Sequence, residues 1–142
     1  VIKRLSEYLE YYWTAGIYLR IKHNRIVERH VYQALKPVLI FYKPPLVAYP
    51  RWFQDLVPED PPNKDYHHWQ QGLEGVKYYI EFFTEPGDVV LDPMAGTGTT
   101  AIACILLNRR FIGYEIDRET YEIALARIKK VVSSDKRKDL QG

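Results

Sequence analysis

The chain has 142 residues, 46% of them hydrophobic and 27% charged, which excludes a wholly disordered or collagen-like protein and leaves room for one domain with a real core. No apolar run reaches the length of a bilayer span and no signal peptide opens the chain, so a membrane partner is not expected. The net charge is only +2, yet residues 1–64 hold ten Lys/Arg against six Asp/Glu and residues 65–142 hold ten against twelve. A single cysteine, Cys104, excludes an internal disulfide and fits a reducing compartment, so a cytoplasmic location is expected. The chain begins at Val1 and has one methionine, Met94, and so reads as a fragment or as the product of an unusual start codon.

In chain order, residues 1–10 read as a helix end with Ile2, Leu5 and Leu9 on one side, and the aromatic run 11–19 as a strand. Residues 20–36 are polar and basic, and a loop with a short helical piece is expected there. Arg20, Lys22, Arg25, Arg29 and Lys36 stand in it against Glu28 alone. Such a segment tracks phosphates or is simply a solvated face, and charge by itself does not decide between them. Residues 37–42 form a continuous apolar run, closed by Lys43-Pro44-Pro45, which predicts a buried strand. The prolines of residues 44–64 make that stretch an irregular connector, with no convincing strand at Leu56-Val57-Pro58-Glu59.

From His68 to Phe83, apolar residues recur at helical spacing. Next come a turn at Glu85-Pro86-Gly87-Asp88, a strand over 89–92 ending in an acid, a glycine-bearing loop and a helix over 99–107. A second strand over 110–115 also ends in an acid. A last helix is predicted over residues 118–132, with Tyr121, Ala124, Leu125 and Ile128 inward. Residues 133–142 are expected to be a polar, disordered tail. The order strand, loop, helix, strand, helix predicts an α/β fold, one wing of a doubly wound parallel sheet.

The stretch Asp92-Pro93-Met94-Ala95-Gly96-Thr97-Gly98-Thr99-Thr100 carries the chemistry. Glycines between a strand and a helix let a ligand approach the backbone, and the helix start offers free N–H groups. A P-loop would need Gly-Lys-Ser/Thr at the helix start, and Thr99 stands where the lysine would be. A dinucleotide fingerprint fits Gly96-Thr97-Gly98 followed by Glu115, but Asp92 would repel a pyrophosphate. S-adenosylmethionine carries a sulfonium and an ammonium that an acid attracts, and Glu115 suits its ribose hydroxyls. The arrangement favours that cofactor.

These residues, with Phe111-Ile112-Gly113-Tyr114-Glu115-Ile116-Asp117, resemble the cofactor motif of DNA amino-methyltransferases, which act on the exocyclic amine of adenine or cytosine. Met94 replaces the phenylalanine usual in that family. Lys64-Asp65-Tyr66-His67-His68-Trp69-Gln70-Gln71 resembles the segment leading into the helix beside the methionine end of the cofactor. Lys36 to Lys43 is similar to the family's late sheet strand. The resemblance covers roughly residues 5–130 and suggests the permuted order, with the catalytic half first.

The resemblance implies a partial Rossmann-like S-adenosylmethionine-dependent methyltransferase sheet forming one domain over 1–132: late strands and basic connector over 1–43, proline-rich connector over 44–66, cofactor part over 67–132. It implies cofactor contacts from His67, Trp69, Gln71, Asp92, Pro93, Met94, Gly96, Gly98, Thr99, Thr100, Glu115 and Ile116. It also implies double-stranded DNA as partner, for which Arg20, Lys22, Arg25 and Arg29 are the candidate contacts.

The family's catalytic signature is an acid, Asn or Ser, then Pro-Pro and an aromatic, because acceptors must hold the amine hydrogens and a ring must stack on the flipped base. Neither Lys43-Pro44-Pro45-Leu46 nor Asp60-Pro61-Pro62-Asn63 supplies the aromatic, and Asp60 reads as a turn residue. The expected protein is therefore the cofactor-binding portion of a DNA methyltransferase, inactive alone, completed by an upstream or partner polypeptide. The alternative is a non-catalytic remnant or regulatory module that binds S-adenosylmethionine or DNA. Missing strands would expose apolar edges and invite homo-oligomers. His67 and His68, being adjacent, point apart and make no metal set. Trp69 is equally a cofactor stack or core, and Cys104 is expected to be a buried apolar residue.

Overall fold

In the computed structural model the residues described are 2–19, 24–26, 31–45, 52–59 and 72–139. They fall into two compact units, Val1–Glu59 and Asp60–Gly142.

The first unit opens with a single helical turn, α1 (Ile2–Leu5), followed by β1 (Glu10–Leu19). β1 is the middle of a three-stranded sheet, antiparallel to β4 (Leu35–Tyr42) and parallel to β5 (Leu56–Glu59). Tyr11 pairs with Phe41 and Trp13 with Ile40, so Tyr12 is an extra residue that bulges the strand. Ala15 and Ile17 of β1 and Val57 and Glu59 of β5 are buried. The Lys36 ammonium reaches across β1 to Glu59 Oε1 at 2.6 Å, joining the two outer strands. At the other end, the Tyr42 hydroxyl donates to Glu10 Oε2 at 2.6 Å, which raises the phenol above its ordinary range.

Three expectations change here. Leu56–Glu59 is a strand after all. Its pairing with Gly16–Leu19 across some forty residues has no local signature, and Pro58 is tolerated because β5 lies at an edge. The predicted buried strand at 37–42 starts two residues earlier and is only half-buried, with Leu35 and Pro37 exposed. Being the opposite edge strand, it is covered less than a central strand would be. Residues 20–36 contain no helix among those described. They hold β2 (Asn24–Ile26) and β3 (Val31–Gln33), paired antiparallel with Arg25 opposite Tyr32. Ile26 is paired with Val31 at the end of the ladder, a backbone pairing that the polar composition around it does not signal.

The second unit holds α2 (Leu73–Phe83), β6 (Val89–Asp92), α3 (Thr99–Leu106), β7 (Arg110–Gly113) and α4 (Arg118–Asp139). Pro86-Gly87 turns the chain from α2 into β6, with the Asp88 N–H on Glu85 O at 3.0 Å and Gly87 at φ 91°. β6 and β7 pair in parallel, Asp92 beside Gly113, and α3 is the crossover between them. α3 is the core: Ala101, Ile102, Ala103 and Cys104 are buried, and α2, β7 and α4 all pack on it. α2 packs against α3 and buries its own Gly75 and Tyr79. Arg109 ties the assembly together, donating to Thr84 Oγ1 at 2.9 Å, Thr84 O at 2.7 Å and Leu107 O at 2.5 Å.

The predicted β6, α3 and β7 are found within two residues of their expected ends, and α2 runs from Leu73, the 68–71 part lying outside the described residues. α4 does not stop at Val132. It continues to Asp139 because Ser133–Asp139 holds no glycine or proline to break a helix, and the Ser133 and Ser134 hydroxyls, which compete with the backbone, are turned back onto Lys129 O and Val131 O. Tyr121, expected inward, is 48% exposed, while Ala124 takes the buried position. Among the described residues no helix is long and apolar enough to cross a membrane.

Candidate functional site

The site lies where β6 and β7 end side by side. β6 ends at Asp92, whose Oδ1 accepts the Met94 N–H at 3.1 Å and whose carbonyl accepts the Tyr114 N–H at 3.0 Å. The Ala95 N–H returns to Tyr114 O at 2.8 Å, so the loop after β6 is laced to the end of β7. Two residues in that loop have left-handed backbones, Gly96 at φ 53° and Gly98 at φ 79°. Gly98 is the N-cap of α3, and its N–H closes a turn on Ala95 O at 2.9 Å. A Cβ on Gly98 would lie 3.2 Å from Ala124 Cβ and 3.5 Å from Ile128 Cδ1, so α4 seats against it. A Cβ on Gly96 would meet nothing within 4 Å. The backbone there faces open space, as a loop that receives a ligand requires.

Glu115 follows β7 and its carboxylate accepts two backbone N–H groups, Gly96 through Oε2 at 2.8 Å and Asp117 through Oε1 at 2.9 Å. Each oxygen keeps a further lone pair for a ligand hydroxyl. Asp117 in turn caps α4, with Oδ2 accepting the Thr120 N–H at 2.8 Å. Arg127 of α4 donates to Thr97 O and, at 2.8 Å, to Thr97 Oγ1. Thr97 and Thr99 are buried, whereas Met94 is 83% exposed and Ile116 wholly so.

The structure thus brings Asp92, Pro93, Met94, Gly96, Gly98, Thr99, Thr100, Glu115 and Ile116 to one loop cluster. His67, Trp69 and Gln71 lie outside the described residues, as do Arg20, Lys22 and Arg29, while Arg25 has its backbone in β2. Cys104 is fully buried and burial pushes its thiol up, with Arg109 opposing, so it offers no nucleophile at neutral pH. Among the described residues no group of His, Cys, Asp and Glu could hold a metal ion. The sequence reading missed two features: the Glu115 hold on Gly96 N–H, and Arg127, whose helical spacing from Ala124 was the available signal.

The family model described as DNA methylase matches residues 51–126, more than half of the chain. The type II methyltransferase M.HindIII of Haemophilus influenzae is 46% identical over 66 residues, which is 46% of this chain and 21% of that protein. The solved complex of M1.HpyAVI with SAM superposes at a TM-score of 0.71 with 25% identity, covering 89% of this chain and 66% of that one. The cytosine-N4-specific PvuII DNA methyltransferase superposes at 0.73 over 94% of this chain and 59% of its own, and at 18% identity shows the fold alone. The matched region thus spans about a fifth of the curated relative, and this chain spans no more than two thirds of these solved neighbours.

Proposed function

From the premise that the chain belongs to the DNA methylase family, we propose that it is the S-adenosylmethionine-binding portion of an enzyme that methylates the exocyclic amine of adenine or cytosine in double-stranded DNA. The observation that carries this reading is the open backbone at Gly96 between the carboxylates of Asp92 and Glu115. Two acids beside the loop suit a sulfonium and an ammonium and disfavour a diphosphate. Bound there, the cofactor supplies a methyl group activated by its positive sulfur. Asp92 offsets positive charge at the end of β6, and Glu115 has lone pairs left for the ribose hydroxyls. The first turn of α3, at Thr99 and Thr100, presents N–H groups to a carboxylate. Met94 and Ile116 offer exposed apolar surface to a flat ring.

The groups that hold the target amine come from another polypeptide or another segment, since neither Pro-Pro site of this sequence carries the aromatic. Two observations support such a partner. The solved neighbours contain a third or more of their length beyond the part this chain matches. In addition, Val89, Leu91 and Ile112 on one face of the β6–β7 pair are 47–61% exposed, where a parallel sheet is normally covered on both faces. Arg20, Lys22, Arg25 and Arg29, a basic run in the sequence with Arg25 in β2, are proposed to meet DNA phosphates.

The test is reconstitution. The chain is combined with a polypeptide that carries the acid-Pro-Pro-aromatic motif, and methyl transfer from labelled S-adenosylmethionine to duplex DNA is measured. Transfer that survives Asp60→Ala is the expected outcome. Loss of all activity on that change would place the catalytic acid at Asp60, and absence of transfer from any such mixture would favour the non-catalytic module.

A further inference from the structure

We infer that Arg127 is a positioning residue of the cofactor site, acting through Thr97 rather than by touching the ligand; this rests on the cofactor reading above. Residues 96, 97 and 98 are each held by a different group. Gly96 N–H is held by Glu115, Thr97 by Arg127, and Gly98 rests on Ala124 and Ile128. Ala124, Arg127 and Ile128 stand at i, i+3 and i+4, so one face of α4 supports the loop.

Arg127 matters most because of which peptide it holds. The Thr97 carbonyl and the Gly98 N–H belong to the same peptide group. The carbonyl accepts from Arg127, and the N–H donates to Ala95 O at 2.9 Å. That plane is therefore fixed at both ends. A peptide preceding a glycine is the one most free to flip, since Gly98 pays no side-chain penalty in either backbone region. Flipping it would turn the carbonyl away from α4 and break the turn that starts α3.

The same guanidinium nitrogen, Nη1, also donates to Thr97 Oγ1, so two acceptors of one buried residue are met by one cationic group. A loop held in its binding form in the free protein binds at full affinity. A loop that spends most of its time flipped binds more weakly by the fraction lost. Arg127 thus sets the fraction of molecules competent to bind.

The experiment compares the wild-type chain with Arg127→Met, which keeps the packing stem, and with Thr97→Val, which removes only the hydroxyl acceptor. Affinity for S-adenosylmethionine is measured by calorimetry well below each variant's melting temperature, and Gly98 amide exchange is followed without ligand. Expected are a loss of roughly tenfold to a hundredfold for Arg127→Met and of about threefold for Thr97→Val, with faster exchange at Gly98 in both. A folded Arg127→Met with wild-type affinity overturns the inference, whatever its melting temperature.

Should Arg127→Met not fold, Arg127→Lys decides. Its ammonium ends one bond short of the Nη1 that makes both contacts to Thr97, so a several-fold loss is expected and unchanged affinity is contrary. A wild-type chain that binds no S-adenosylmethionine overturns the cofactor reading itself, and this inference with it. Binding by the wild type and by Arg127→Met alike overturns this inference only.

Discussion

Replacing Glu115 with alanine is expected to weaken S-adenosylmethionine binding on the order of a hundredfold. The carboxylate accepts the Gly96 N–H at 2.8 Å and the Asp117 N–H at 2.9 Å, and these bonds fix the loop and the start of α4 before any ligand arrives. Hydrogen bonds to a charged group contribute about 1.5–3 kcal/mol each, less where solvent competes, as at Asp117. Together with the lost ribose acceptor, a deficit of roughly 2–3 kcal/mol follows, and each 1.4 kcal/mol is tenfold. Glu115→Gln separates the two roles. It keeps one acceptor oxygen but turns an NH₂ toward a backbone N–H, so it should recover only part of the loss. Calorimetric titration of both variants is the check, and an affinity within threefold of wild type for Glu115→Ala would contradict the assignment.

Gly98→Val is expected to lower the stability of the second unit by about 3 kcal/mol. A β-branched residue at φ 79° costs roughly 1–2 kcal/mol or more. Crowding adds to this, because the new Cβ would stand 3.2 Å from Ala124 Cβ with methyl groups beyond it. At about 4–8 °C per kcal/mol for a unit of this size, the melting temperature should fall by more than about 10 °C. Gly96→Val is the internal comparison. It carries a similar backbone strain at φ 53° but meets nothing within 4 Å, so it should cost only the strain, about 1–2 kcal/mol. Equal melting temperatures for the two would mean that α4 does not bear on the loop as described.

What was legible in the sequence was whatever is encoded locally. The order strand, Gly-x-Gly loop, helix, strand and acid places β6, α3, β7 and Glu115 with little ambiguity, because strand, turn and helix signals follow one another within some thirty residues. What stayed hidden depends on distant partners. β5 becomes a strand only by pairing with Gly16–Leu19, and its two prolines-rich neighbours masked the short apolar run. The β2–β3 hairpin was concealed by basic side chains that say nothing of backbone pairing. Arg127 stands thirty residues from Thr97, and its i+3 spacing from Ala124 tells which face it shares but not what it holds. Glu115 follows β7, as the order of strand and acid predicts. Its spacing suggested a ligand acceptor, while the structure adds two backbone N–H groups that no spacing rule foretells.

The most direct measurement is titration calorimetry of the 142-residue chain with S-adenosylmethionine and, separately, with NAD. Saturable one-to-one binding of the first and none of the second is the result that the acid-flanked glycine loop predicts. Binding of NAD, or of neither ligand, would contradict the assignment of this loop as an S-adenosylmethionine site.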